Sequence, residues 1–232
     1  MSTRYRLVVA GILLGLLIPM GTAAGQSLFS GNEARPSDAI ILFVGKDLGE
    51  WVYAKNGKPA KWRVEHGYME ARDGNICTKR EFTDFQVHVE FWLPLMPEAT
   101  GQERANSGVY LQGKYEIQVL DSYGLNSGDS DCGAIYKVAP PLVNACRPPE
   151  LWQSYDAIFH APRFDDKGNQ ISKARITAFQ NGVLIQDNVE VPGPTVAAMT
   201  GPVTDHGPLM LQDHGCLVRY RNVWIRPLSP AR

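Results

Sequence analysis

The feature that most limits this chain is a hydrophobic pattern of period two. It is cleanest in FQVHVEFW, residues 85–92, where Phe85, Val87, Val89 and Phe91 alternate with Gln86, His88, Glu90 and Trp92. Successive side chains of a strand point to opposite faces, so such a segment buries one face and leaves the other to solvent or to function. The alternation recurs over 109–120, 154–159, 174–179 and 219–226, while helical periodicity is weak throughout. Asp73-Gly74 and Asn181-Gly182 are hairpin dipeptides that tolerate positive φ. Pro94, Pro97, Pro140, Pro141, Pro148 and Pro149 mark loops, because proline cannot donate to a strand ladder. Short strands divided by such turns predict an all-β fold, an antiparallel β-sandwich. No internal repeat or low-complexity linker divides the sequence, which places a single domain over 38–232.

Ahead of that domain the sequence has the order of a secretory signal. Arg4 and Arg6 precede an apolar run over 7–20, followed by the small residues Thr22, Ala23, Ala24 and Gly25. The expectation is a signal peptide over 1–24, cleaved after Ala24, then a flexible lead over 25–37. The run is shorter than the roughly 20 apolar residues of a spanning helix, so no membrane span is expected after its removal. The mature chain is therefore expected to be secreted or periplasmic. An oxidising compartment makes Cys77, Cys132, Cys146 and Cys216 candidate disulfide partners. Cys132 and Cys146 bracket one loop and are the first choice. With 23 Lys and Arg against 24 Asp and Glu and a net charge of -1, and no basic block, the chain lacks what phosphate neutralisation requires, so no nucleic acid partner is expected.

The polar faces carry the functional signal. In NSGVYLQGKYEIQVLDSYG, residues 106–124, Val109, Leu111, Ile117 and Val119 share one face. Tyr110, Gln112, Glu116 and Gln118 share the other, with Asp121 at the strand end. In PLMLQDHG, Met210, Gln212 and His214 lie opposite Leu209, Leu211 and Asp213. In WQSYDAIFH, Ser154, Asp156 and His160 lie opposite Gln153, Tyr155 and Phe159, and either set can face inward. Acceptors and donors beside rings suit a carbohydrate, whose hydroxyls need hydrogen bonds and whose apolar faces stack on aromatics. An antiparallel sheet that merely solvates one face produces the same row.

Five segments resemble, in order, the 3-keto-disaccharide hydrolase domain family: NSGVYLQGKYEIQVLDSYG, CGAIYKVAPP, WQSYDAIFHAPRFD, FQNGVLIQDN and HGPLMLQDHGCLVRYRNVWIRPL. LFVGKDLGEW resembles the family's opening, although Val44 stands where Asn or Asp is usual. The resemblance spans about 41–227. It implies a concanavalin-like jelly roll of the lectin and glucanase type, and cleavage of glycosides already oxidised at C3 of the sugar. A C3 ketone acidifies the hydrogen on C2, so a base can remove it and expel the anomeric leaving group, after which water adds to the unsaturated ketone. That chemistry needs a base, an acid and enolate stabilisation. His214 and Glu116 are the expected base and acid. Glu90 and His88, two apart on one strand, serve either as further acid or base groups or as ligands of a possible divalent cation that polarises the ketone. Tyr110, Gln112, Gln118, Asp121, Tyr136, Lys137 and Gln212 are expected to meet substrate hydroxyls or to hold the acid and base.

Two other classes compete. A lectin-like carbohydrate-binding module needs the hydroxyl acceptors without a paired acid and base. A laminarinase-type glycosidase needs two carboxylates flanking the bond, whereas YEIQVLD offers Glu116, then Gln118 and Leu120. The chain has no Rossmann fingerprint, so oxidation at C3 would fall to a separate sugar 3-oxidoreductase.

Overall fold

The protein's structure is a computed structural model and describes residues 35–228. The signal segment and all but the end of the 25–37 lead fall outside the described residues. Two strand-forming stretches of different character build it. Long strands with clean alternation form one sheet: β6 (Phe85–Trp92), β9 (Trp152–His160), β12 (Ala174–Gln180), β13 (Val183–Val191) and β15 (Arg219–Pro227). With them lie the short β1 (Ile40–Phe43), β3 (Arg63–Glu65) and β4 (Tyr68–Glu70). Short strands form the other sheet: β2 (Trp51–Tyr53), β5 (Ile76–Thr78), β7 (Ser107–Leu111), β8 (Tyr115–Val119) and β14 (Met210–Leu211). A two-stranded ribbon, β10 (Arg163–Phe164) with β11 (Gln170–Ser172), stands apart.

The eight-stranded sheet runs β13-β12-β9-β6-β15-β4-β3, with β1 also on β15, and the five-stranded sheet runs β2-β5-β14-β7-β8. Every strand pairing is antiparallel. β15 is central: its length pairs with β6, while its other edge is shared by β4 at the start and β1 further on.

Between the sheets lies one core. Phe85, Val87, Val89, Phe91, Tyr155, Ala157 and Phe159 from the large sheet meet Val109, Leu111, Tyr115, Ile117 and Val119 from the small one, all at most 1% exposed. Each large apolar side chain so buried contributes about 1.5–3 kcal/mol. Polar ties cross the same layer: the Tyr155 hydroxyl donates to the Gln118 carbonyl at 2.6 Å, and Ser107 and Tyr220 share a 2.6 Å hydroxyl contact. The inner face of β9, open in the sequence, is the one with Gln153, Tyr155 and Phe159.

Asn181 and Gly182 form the expected two-residue turn, both at positive φ, between the paired Gln180 and Val183. Asp73 and Gly74 also have positive φ, but they are no hairpin: they carry the chain from β4 in one sheet to β5 in the other. The stretch 109–120 is likewise two strands, β7 and β8, reversed at Gln112 and Gly113 (φ 52° and 64°). The reversal pairs Val109 with Ile117 and Tyr110 with Glu116, which keeps each pair on its own face and leaves Gln112 in the turn.

Candidate active site

The β7–β8 hairpin sets the site. Tyr110 and Glu116 face each other across it on the outer side of the small sheet, with Met210 of β14 and Cys77 of β5 next along. This side is covered, because every residue of β7 and β8 is buried. The cover is the segment 195–201. Its Thr195 hydroxyl accepts the Glu116 amide at 3.0 Å, its Val196 carbonyl lies 3.1 Å from the Tyr110 hydroxyl, and its Met199 amide donates to the Gly113 carbonyl at 2.8 Å. Lys114, from the hairpin turn, donates to the carbonyls of Met199, Thr200 and Gly201. One ammonium thus satisfies three carbonyls and straps the segment down. On the other flank, residues 133–136 run beside β8, with Gln118 donating to Ala134 at 2.9 Å and Tyr136 to the Glu116 carbonyl at 3.1 Å.

Glu116 is 3% exposed. Burial pushes its carboxyl up to about 8, and the hydrogen bond from Tyr110 opposes that rise only in part. A charged carboxylate loses its hydration there, so the neutral form is favoured. The Tyr110 hydroxyl is itself pushed well above the usual phenol range, first by burial and then by the Glu116 charge. Gln212 donates its amide to that hydroxyl at 3.1 Å. The single Tyr110 proton can therefore serve the Val196 carbonyl or Glu116, and the network keeps a proton on or beside the carboxyl. Gln212 Oε1 is a buried acceptor with no donor among the described residues, which is uncommon for a buried polar atom. At Gly108, next to the pair, a Cβ would fall 2.3 Å from the Glu116 carboxylate and 2.8 Å from the Tyr110 ring, so both side chains would have to shift to admit it.

The remaining sequence-predicted residues divide by place. His214 is exposed in the turn after Gln212, where Asp213 accepts the Gly215 and Gly74 amides. Tyr136 is half-buried on the loop flanking β8, and Lys137 is exposed and paired with Asp129 at 3.3 Å. Gln112 turns away to donate to the Phe82 and Asp205 carbonyls, each at 2.9 Å. Gln118 is spent on Gln102 and the Val119 amide, and Asp121 on Arg104 at 2.6 Å.

Residues 38–226 match the family described as the 3-keto-alpha-glucoside-1,2-lyase-like domain. The chain belongs to that family. A search of curated proteins finds no match. Among solved structures, one described as a putative glycosyl hydrolase from Parabacteroides distasonis is 41% identical, with a TM-score of 0.76 over 83% of this chain and 85% of that one. A second so described from the same organism, at 21% identity and a TM-score of 0.59 over 82% and 94%, shares the fold. These likenesses make the chain a glycoside-related β-sandwich.

Within this lyase-like domain His88 and Glu90 do not join Glu116. They lie on the outer face of the large sheet, and the core separates the two faces. His88 Nδ1 sits 2.7 Å from Asp156 and its Nε2 3.7 Å from Glu90, while the ring stacks on Trp224. Burial alone would lower the imidazole, but the bonds to Asp156 and Glu90 hold it up at about 9. Burial alone would raise Glu90, but His88, Asn222 and Arg221 hold it down at about 2. Among the described residues no group of three His, Cys, Asp or Glu could hold a metal. His88, Glu90 and Asp156 instead form an ion-pair cluster. Arg219 and Arg221 extend it by lying over the Trp92 and Trp152 rings, at 4.3 and 4.0 Å.

Sequence reasoning overlooked Lys114 and the 195–201 strap. The signal available was the Pro192-Gly193-Pro194 break, which marks a loop but not what it lies on.

Proposed function

We propose that this domain cleaves glycosides whose sugar carries a ketone at C3. The observation that carries the reading is Glu116, a buried carboxyl pushed up to about 8, in a network that reaches Gln212 through the Tyr110 hydroxyl. A general acid works best when its pKa lies near the working pH. In this reading His214 removes the C2 proton, and the electron pair expels the oxygen at C1. Glu116 protonates that oxygen as the bond breaks. Water then adds across the C1–C2 double bond of the unsaturated ketone, its hydroxyl to C1 and a proton to C2, so that the net change is hydrolysis. Gln212 Oε1 accepts a sugar hydroxyl, and Tyr110, buried beneath the same segment, positions the Glu116 proton. With Glu116 3% exposed, substrate reaches the carboxyl when segment 195–201 lifts. The ketone is supplied by a separate sugar 3-oxidoreductase, and the mature chain works outside the cytoplasm after export.

Product analysis by mass spectrometry tests this. The mature protein is incubated with a 3-keto-disaccharide and with its unoxidised parent, each with and without a chelator. Cleavage of the keto sugar alone is expected, unaffected by the chelator and lost in Glu116→Gln. Cleavage of the parent would instead indicate ordinary glycoside hydrolysis. Binding of either sugar without cleavage would make the domain a carbohydrate-binding module.

A further inference from the structure

The four cysteines are of two kinds. Cys77 packs with Tyr110 and Met210 in the small sheet, and Cys216 lies 3.8 Å from the Glu103 carbonyl. Cys132 and Cys146 share one buried niche: the two thiols are close enough to perturb each other, and Cys146 Sγ lies 3.7 Å from the Leu120 carbonyl and 3.5 Å from the Arg147 carbonyl. Around them Cys132 Sγ touches the Tyr155 hydroxyl at 3.1 Å and the Gln180 amide at 3.4 Å, and Gln180 also donates to Gln153. The two sulfurs are free thiols in this arrangement, held side by side by both sheets.

We propose that Cys132 and Cys146 become a disulfide in the mature protein. The loop they would close has a defined task. Its residues Gly133, Ala134 and Tyr136 bond to Gln118 and Glu116, so it covers β8, the edge strand of the small sheet. An uncovered edge is a template for unwanted pairing, and a staple at the two ends of the cover fixes it. The same loop presents Tyr136 beside Glu116, so the bond also secures one flank of the site. Forming it removes two protons and two electrons from the thiols. The acceptor is a disulfide, of a small molecule or of an oxidising protein, which leaves as two thiols. Because both cysteines are buried once packed, 1% and 8% exposed, the exchange occurs during folding.

The test is peptide mapping under non-reducing conditions after thiol alkylation in denaturant. It is run on the mature chain exported through an oxidising compartment and on the same chain refolded in reduced and oxidised glutathione. The expected result is one cross-linked pair, Cys132 with Cys146, a mass ~2 Da below that of the four-thiol chain, and alkylated Cys77 and Cys216. Reduction should lower Tm by about 5–10 °C, and the double variant Cys132→Ser/Cys146→Ser should match the reduced protein and no longer respond to reductant. Four alkylated thiols in both preparations, or a bond to Cys77 or Cys216, would overturn the proposal. The mapping uses the wild-type chain and no sugar, so it is decided whether or not the double variant folds and whether or not the domain cleaves 3-keto-glycosides.

Discussion

Replacing Glu116 with glutamine should stabilise this protein, and more so the higher the pH. The carboxyl titrates near 4.5 in an unfolded chain and near 8 in the fold. Below 4.5 both states keep the proton and nothing distinguishes them. Between the two values the unfolded chain ionises while the fold holds its proton, so wild-type stability falls by about 1.4 kcal/mol per pH unit. Above 8 the fold ionises too, and the loss levels off at roughly 5 kcal/mol. Glutamine keeps the shape and does not titrate. The gap in unfolding free energy between variant and wild type, followed by urea denaturation and tryptophan fluorescence, should therefore widen by about 3 kcal/mol from pH 5 to pH 7.5. Comparing the pair cancels every other titrating group. Parallel stability profiles from pH 5 to 9 would refute the argument that burial governs this carboxyl. In the proposed reaction the same variant should lose about 100-fold or more in turnover, and wild-type activity should decline as pH rises through 8, where the acid is lost.

Tyr110→Phe removes the bond that restrains the Glu116 carboxyl, so its midpoint should move above that of the wild type; carbon-13 NMR of the side-chain carboxyl reads this directly. The same change strands the Gln212 amide and should destabilise the fold by about 1–3 kcal/mol in urea. His88 is held protonated up to about 9 against an ordinary 6.5, so its stabilisation is complete below 6.5 and fades as pH rises through 9. His88→Gln should accordingly lose about 2–3 kcal/mol at pH 6 and little at pH 10, with the wild-type imidazole titrating near 9 by NMR. Lys114→Met strands three carbonyls and should destabilise by about 2–4 kcal/mol, with faster amide exchange confined first to segment 195–201.

Legibility followed the physics of burial. β6 was visible to the residue because one face is buried and the other half-exposed, so Phe85 and Gln86 differ in kind. β4 and β5 were not, because Tyr68, Met69, Glu70, Ile76, Cys77 and Thr78 are all buried, and a short strand enclosed on both sides has no alternation to show. Asp73-Gly74 announces positive φ, but that conformation does not say whether the next strand joins the same sheet. Glu116 stood out by its position in the row. What the row could not reveal was that Glu90 lies on the far side of the sandwich, since period two reports a face and not a sheet. Nor could it reveal a cover: Thr195 and Lys114 act through backbone carbonyls and amides, which every residue possesses.

The central place of β15 governs when this protein can fold. Arg219–Pro227 lies between β6 and the β4 and β1 edges, and Met210–Leu211 joins β5 to β7 in the other sheet. Both sheets remain in halves until the stretch 210–227 has been synthesised, and pairings across more than a hundred residues, such as Met210 with Cys77, close slowly. A nascent chain therefore completes neither sheet before that stretch has emerged, and a chain cut before Arg219 would expose β6 as a bare edge.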